Sequence, residues 1–207
     1  MRKFVIALFA FLCLQSFSYA TTFPVDIRFC RLFGTTVGVT GWYSQERDYG
    51  FHRALDIPLR IGIAVRAAET GEIEISQEYP KYDSKIKRWR SGYGNFVKIK
   101  VYVMKQTKYG EKKVLKRIYV YGHLDRVGYV KDGDTVSEGD TIGYSGSTGV
   151  VDEFGKFQMA PHLHFEAQDP TGARINVTKE FGDLIKEYFN VEQKWSFTLL
   201  GGGNTNN

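Results

Sequence analysis

Apolar and polar side chains alternate along Glu72-Ile73-Glu74-Ile75 and along Val97-Lys98-Ile99-Lys100-Val101-Tyr102-Val103. The run Ile118-Tyr119-Val120-Tyr121 is dense in β-branched and aromatic residues. A period of two sends successive side chains to opposite faces of an extended chain, so these segments predict β-strands. Clusters such as Lys131-Asp132-Gly133-Asp134 and Ser137-Glu138-Gly139-Asp140 supply the residues that tight turns tolerate. Helix is scarce. The one good candidate covers residues 178–189, where Thr178 or Asn176 can cap and Phe181, Leu184, Ile185 and Tyr188 share a face. The glycine- and asparagine-rich end, 201–207, predicts a frayed tail. Polar stretches at 81–90 and 104–116 predict loops.

The same geometry turns spacing into chemistry. The chain has four histidines: His52 in His52-Arg53-Ala54-Leu55-Asp56, His123 in Tyr121-Gly122-His123-Leu124, and His162 with His164 in Pro161-His162-Leu163-His164-Phe165. On a strand, His162 and His164 project into one cleft while Leu163 and Phe165 pack behind them. If the segment from His52 is also extended, His52, Ala54 and Asp56 share a face, and Ala54 is small enough to leave room between two ligands. Pro58 argues against a helix there. Catalytic zinc sites usually take three protein ligands and keep one position open, and two histidines with one carboxylate fit that pattern. Two histidines then remain for proton transfer.

These residues resemble the lysostaphin-type, LytM-like zinc endopeptidases, which cut peptide cross-links in peptidoglycan. His-x-x-x-Asp at 52–56, Tyr-Gly-His-Leu at 121–124 and His-Leu-His-Phe at 162–165 match in order and spacing. So do Gly71, Gly92-Tyr93-Gly94-Asn95, Gly133 to Asp140 and Gly146-Ser147-Thr148-Gly149, so the resemblance spans roughly 41–176. It implies an all-β, mostly antiparallel two-sheet barrel-sandwich, the duplicated hybrid motif, followed here by the short C-terminal helix. It also implies one Zn²⁺ per chain held by His52, Asp56 and His164, with His123 and His162 as the catalytic pair beside the attacking water. Stem peptides of peptidoglycan are the implied substrate, with D-Ala to diaminopimelate cross-links favoured over glycyl-glycine bonds. The alternative is a non-catalytic wall-binding protein or amidase activator. Such relatives characteristically lose metal ligands, whereas every one is present here. Three features depart from the family pattern: Ala54 stands where glycine is usual, an insert occupies 150–159, and a basic, aromatic stretch enlarges the segment before Gly92. Loops carry recognition, so these are the expected seats of specificity, with the insert lining the cleft.

The first residues bear on where the protein works. Arg2 and Lys3 precede an apolar run, and Ser18-Tyr19-Ala20 offers small residues before a cut after Ala20, the pattern of an export signal over residues 1–20. The apolar run is too short to span a bilayer, which needs ~20 residues, so no stable membrane insertion is expected after cleavage. A periplasmic or secreted location follows, with a single domain over 21–200 and a monomer as the working form. Nucleic acid is not an expected partner there. Only Cys30 remains after removal of the segment that holds Cys13, which excludes an intramolecular disulfide. The charge is segregated: residues 81–117 hold 13 Lys or Arg against Asp83 and Glu111, a net of +11. Such a block is either a solvated hairpin face or an attractor of anionic wall polymer.

Overall fold

A computed structural model describes residues 22–25, 43–47, 50–152, 154–156, 161–177 and 181. Thirteen strands run through them: β1 (Glu46–Arg47), β2 (Gly50–Phe51), β3 (Leu55–Pro58), β4 (Ala64–Arg66), β5 (Gly71–Glu78), β6 (Lys81–Asp83), β7 (Arg88–Arg90), β8 (Gly94–Thr107), β9 (Gly110–Val127), β10 (Thr135–Val136), β11 (Thr141–Ser145), β12 (His162–Gln168) and β13 (Arg174–Ile175). Every pairing between them is antiparallel. The expected all-β, antiparallel class therefore holds, although the sheet stays open rather than closing into a barrel.

The nine-stranded sheet forks at β9. One edge of β9 pairs with β8 along almost its whole length; the other edge pairs first with β12, through Ile118 to Gly122, and then with β11, through Leu124 to Val127. The β12 branch continues to β3 and β13, and the β11 branch ends on β4. Segment 136–142 is not a hairpin, because β10 pairs with β5 while β11 pairs with β4 and β9.

The core lies beneath this fork. Tyr119, Tyr121, Leu124, Leu163, Phe165 and Phe181 are wholly buried. Tyr119 stacks on Phe165 with ring centroids 5.6 Å apart, and Tyr121 also contacts Phe165. Each buried phenol is satisfied: the Tyr121 hydroxyl accepts from the Ala68 amide at 2.8 Å, and Tyr119 donates to Glu69 at 2.8 Å. Lys116 binds the other oxygen of Glu69 at 2.7 Å, so that buried carboxylate is paired.

Two segments expected as loops are strands. Residues 104–116 belong to β8 and β9, which run on as a two-stranded ribbon to a turn at Lys108-Tyr109. The basic stretch before Gly92 folds as the small hairpin β6–β7. The +11 block is thus divided between two hairpins. The leader 1–20, the tail 201–207 and the helix expected at 178–189, Phe181 apart, lie outside the described residues.

Candidate metal centre and cleft

Three neighbouring strands bring the distant histidines together. Asp56 on β3 is the cross-strand partner of His164 on β12, and His164 is in turn the partner of Gly122 on β9, next to His123. Alternation along β12 works as the sequence implies: Leu163 and Phe165 enter the core, while His162 and His164 line the cleft. His52 differs from expectation. It sits between β2 and β3 rather than on a strand, held through its amide to the Gln45 carbonyl (2.8 Å) and its carbonyl to the Ser44 amide (2.6 Å). Its side chain nonetheless reaches Asp56, as a four-residue spacing permits.

One carboxylate oxygen is the hub. Asp56 Oδ1 lies 3.2 Å from His52 Nε2 and 3.0 Å from His164 Nδ1. The three potential ligand atoms of His52, Asp56 and His164 all lie within 4.8 Å of one another. Burial pushes the Asp56 carboxyl up, but hydrogen bonds and charge from His164 and His52 outweigh it and hold the group far below the usual carboxylate range. Burial alone would lower His164, yet Asp56 and Glu166 raise it. Two imidazole nitrogens and an ionised oxygen converging in a cleft form a donor set suited to zinc, with a side open to a further ligand.

His123 and His162 stand beside this cluster. Their ring centroids are 4.7 Å apart, and His123 is 5.6 Å from the His164 ring. His123 adopts φ 61°, which is rare for a residue other than glycine, at a bulge where the β8–β9 register shifts between Asn95 and Val97. Its amide donates to the Tyr93 carbonyl at 2.7 Å and its Nδ1 lies 2.8 Å from the Thr148 carbonyl oxygen. Burial, then the charges of His164 and His162, push its pKa down to about 3. Gly94 lets Thr148 approach: its φ is 65°, and a Cβ there would come within 2.3 Å of Thr148.

Sequence reasoning missed a second tier. Glu166, two residues after His164 and 1% exposed, has its Oε2 3.7 Å from His164 Nε2. The same oxygen accepts from Tyr93 (2.9 Å) and from Arg174 Nε (2.8 Å), and Arg174 also reaches the Tyr93 hydroxyl (3.0 Å). Burial and the neighbouring Glu166 charge push Tyr93 up to about 12, so it remains a donor. This network braces the face of His164 turned away from Asp56, the usual way that outer residues orient a ligating imidazole. The period of two that pairs His162 with His164 also points to Glu166.

The cleft has a volume of about 700 Å³. Two of the departures noted in the sequence build one wall. The β6–β7 hairpin contributes Lys81, Arg88 and Trp89, and the insert contributes Val150, Val151 and Asp152, so the insert does line the cleft. They are joined: Ser91 Oγ bonds the Val151 backbone at 3.1 and 3.2 Å, and the Gly92 amide donates to the Gly149 carbonyl at 2.9 Å. Gly155, with φ 82°, lies so close under Trp89 that a Cβ would come within 2.8 Å of the indole nitrogen. Tyr43 accepts from Arg53 and donates to the Arg174 carbonyl; Trp42 and Tyr49 lie outside the described residues.

Comparison with known proteins agrees with this picture. Residues 50–177, more than half of the chain, match the model for peptidase family M23. Among solved structures, the antimicrobial peptidase lysostaphin from Staphylococcus simulans is 21% identical with a TM-score of 0.52, over 86% of this chain and 58% of that one. A zinc containing peptidase from Vibrio cholerae is 21% identical with a TM-score of 0.50, over 76% of this chain and 39% of that one. Both bear on the fold alone. The catalytic domain of lysostaphin is 25% identical with a TM-score of 0.46, covering 76% of this chain and 98% of that one. No curated protein sequence matches the chain. With the family match spanning the whole His-Asp-His cluster and its flanking strands, the chain belongs to peptidase family M23, a family of zinc-dependent metalloendopeptidases that hydrolyse peptidoglycan.

Proposed function

We propose that this enzyme is exported and cuts the peptide cross-links of peptidoglycan at D-Ala to diaminopimelate bonds, with His52, Asp56 and His164 holding the zinc and His123 and His162 moving protons. The observation that carries the reading is the convergence of three ligand atoms within 4.8 Å at the foot of a cleft that also presents two further buried histidines. When bound, zinc supplies a Lewis acid that polarises the scissile carbonyl and eases deprotonation of the attacking water.

The protein's own groups do the rest. The Thr148 carbonyl can only accept, so His123 carries its proton on Nδ1 and keeps a lone pair on Nε2, which suits it to take the water's proton. His162, on the ligand strand itself, fits the complementary role of donating to the oxyanion or the leaving amine. Glu166, itself tied to Tyr93 and Arg174, sets a carboxylate 3.7 Å from His164 Nε2 and so supplies charge beside that ring. Retention of all three ligands speaks against the non-catalytic, wall-binding alternative.

Digestion of purified sacculi by the zinc-loaded protein, followed by mass analysis of the released muropeptides, tests the reading. Monomeric muropeptides ending in D-Ala are expected in place of cross-linked dimers. Intact dimers, or cleavage only at glycyl bonds, would refute the bond assignment.

A further inference from the structure

The β6–β7 hairpin has no part in the chemistry above, yet it faces the cleft with an unbalanced charge. Cross-strand pairing sets Lys81 opposite Arg90 and Asp83 opposite Arg88, so these four side chains share one face of the hairpin, while Tyr82 and Trp89 pack together on the other. That face holds three cations and one carboxylate. The carboxylate is committed: Asp83 Oδ2 pairs with Arg90 Nε at 2.8 Å, and its Oδ1 accepts the Lys85 amide at 3.0 Å. Lys81 and Arg88 form no ion pair among the described residues, and both line the cleft. Arg53, beside His52, lines it too and, among the described residues, engages the rings of Tyr43 and Phe51 and the Tyr43 hydroxyl.

Among the described residues, each acid that lines the cleft already has a hydrogen-bond partner of its own. Asp56 serves its histidines and Glu166 serves Tyr93 and Arg174. Glu78 accepts the Tyr93 amide, and Asp152 Oδ1 accepts the amides of Phe154 and Lys156, closing the turn of the insert. The backbone of the hairpin is anchored to the insert by the Ser91 bonds to Val151 and the seat of Trp89 over Gly155, which sets where its cations emerge beside the cleft.

We propose that Arg88, with Lys81 beside it, forms a carboxylate subsite in the cleft and makes this enzyme selective for peptides carrying a free carboxylate near the scissile bond. A guanidinium can meet a carboxylate through two parallel hydrogen bonds, which gives both attraction and orientation. A cross-link whose diaminopimelate carboxyl is free satisfies the subsite. One amidated there, or a run of glycines, leaves it empty. The proposal rests on the reading of the cleft as a peptide hydrolase.

The test compares two synthetic D-alanyl-diaminopimelyl peptides, identical except that the diaminopimelate carboxyl is free in one and a carboxamide in the other. The zinc-loaded full chain is expected to prefer the free acid in kcat/KM by on the order of 10-fold or more, the size of a charge-assisted hydrogen bond. Arg88→Gln should bring that ratio to about twofold or less, chiefly through KM, at unchanged zinc content. Lys131→Gln, on the exposed turn closed by Asp134 and outside the cleft lining, should leave the ratio as it is. A wild-type ratio near one, or a ratio retained in Arg88→Gln, overturns the subsite. If neither peptide is cleaved, the D-Ala to diaminopimelate assignment fails, and calorimetric binding of the same pair then decides the subsite: a preference for the free acid lost in Arg88→Gln upholds it, and equal or absent binding overturns it.

Discussion

The imidazole of His123 is tethered by its Nδ1 to the carbonyl oxygen of Thr148, 2.8 Å away, so two segments 25 residues apart fix which nitrogen faces the cleft. Thr148 is anchored in turn, its hydroxyl donating to the Leu124 carbonyl at 2.8 Å and accepting the Asn95 amide at 2.9 Å. His123→Ala and His162→Ala are therefore expected to bind zinc normally while losing on the order of 10²-fold or more in kcat, the scale of general acid–base groups. Elemental analysis beside a turnover assay reads both quantities. Wild-type turnover in either variant would remove that residue from the proton-transfer scheme.

The ligand assignment is tested by the opposite pattern. His52→Ala, Asp56→Ala and His164→Ala should each lose zinc and activity together, because removing one of three protein ligands leaves too few to hold the ion. A His164→Ala protein with one zinc per chain would show that the ion sits elsewhere.

Protons compete with the metal at the same atoms. Burial lowers the His164 pKa, but Asp56 and Glu166 outweigh this and raise it above its ordinary value of 6.5 in the metal-free protein. The ring therefore keeps its proton to higher pH than a free imidazole, and the metal must displace it. Zinc affinity should consequently fall as pH is lowered from 8 to 6, with up to one proton released per ion bound by this group. Chelator competition across that range, with proton release followed in two buffers of different ionisation enthalpy, measures both. A pH-independent affinity would exclude a coordinating role for His164.

The ribbon formed by the ends of β8 and β9 sets Lys105 opposite Lys112, with Lys108 exposed at the turn. Like charges facing each other work against pairing, so their presence favours a use outside the fold. Reversing Lys105, Lys108 and Lys112 to Glu should weaken retention on sacculi at low salt and leave hydrolysis of a short soluble peptide unchanged. Salt should erase the difference as the Debye length shrinks to ~8 Å at physiological ionic strength. Equal retention of both proteins across a salt series would mark the ribbon as merely solvated.

Much of the site was legible in the chain because it lies on strands, where spacing is geometry. The two-residue step from His162 to His164 and the core positions of Leu163 and Phe165 follow from alternation alone. The ribbon at 104–116 did not show itself, since both of its faces meet solvent and no apolar alternation marks it; cross-strand contacts such as Lys113 over the Tyr102 ring, 4.2 Å away, help hold it. The joint wall of hairpin and insert was equally hidden. Each segment reads as a polar loop, and only their packing through Ser91, Trp89 and Gly155 makes them one surface.

The bulge at His123 changes the phase of a strand in mid-course. Counting by twos from Tyr119 and Tyr121, position 123 would fall into the core, and a histidine there would bury an imidazole among aromatic rings. The kink at φ 61° skips one beat, so that Leu124 rather than His123 joins the core and the imidazole turns to the cleft. A single strand thereby serves as a wall of the core along one stretch and as a mount for chemistry in the next. Straightening the bulge at unchanged length would consequently exchange the two roles, sending the imidazole inward and the leucine out, with every metal ligand left untouched.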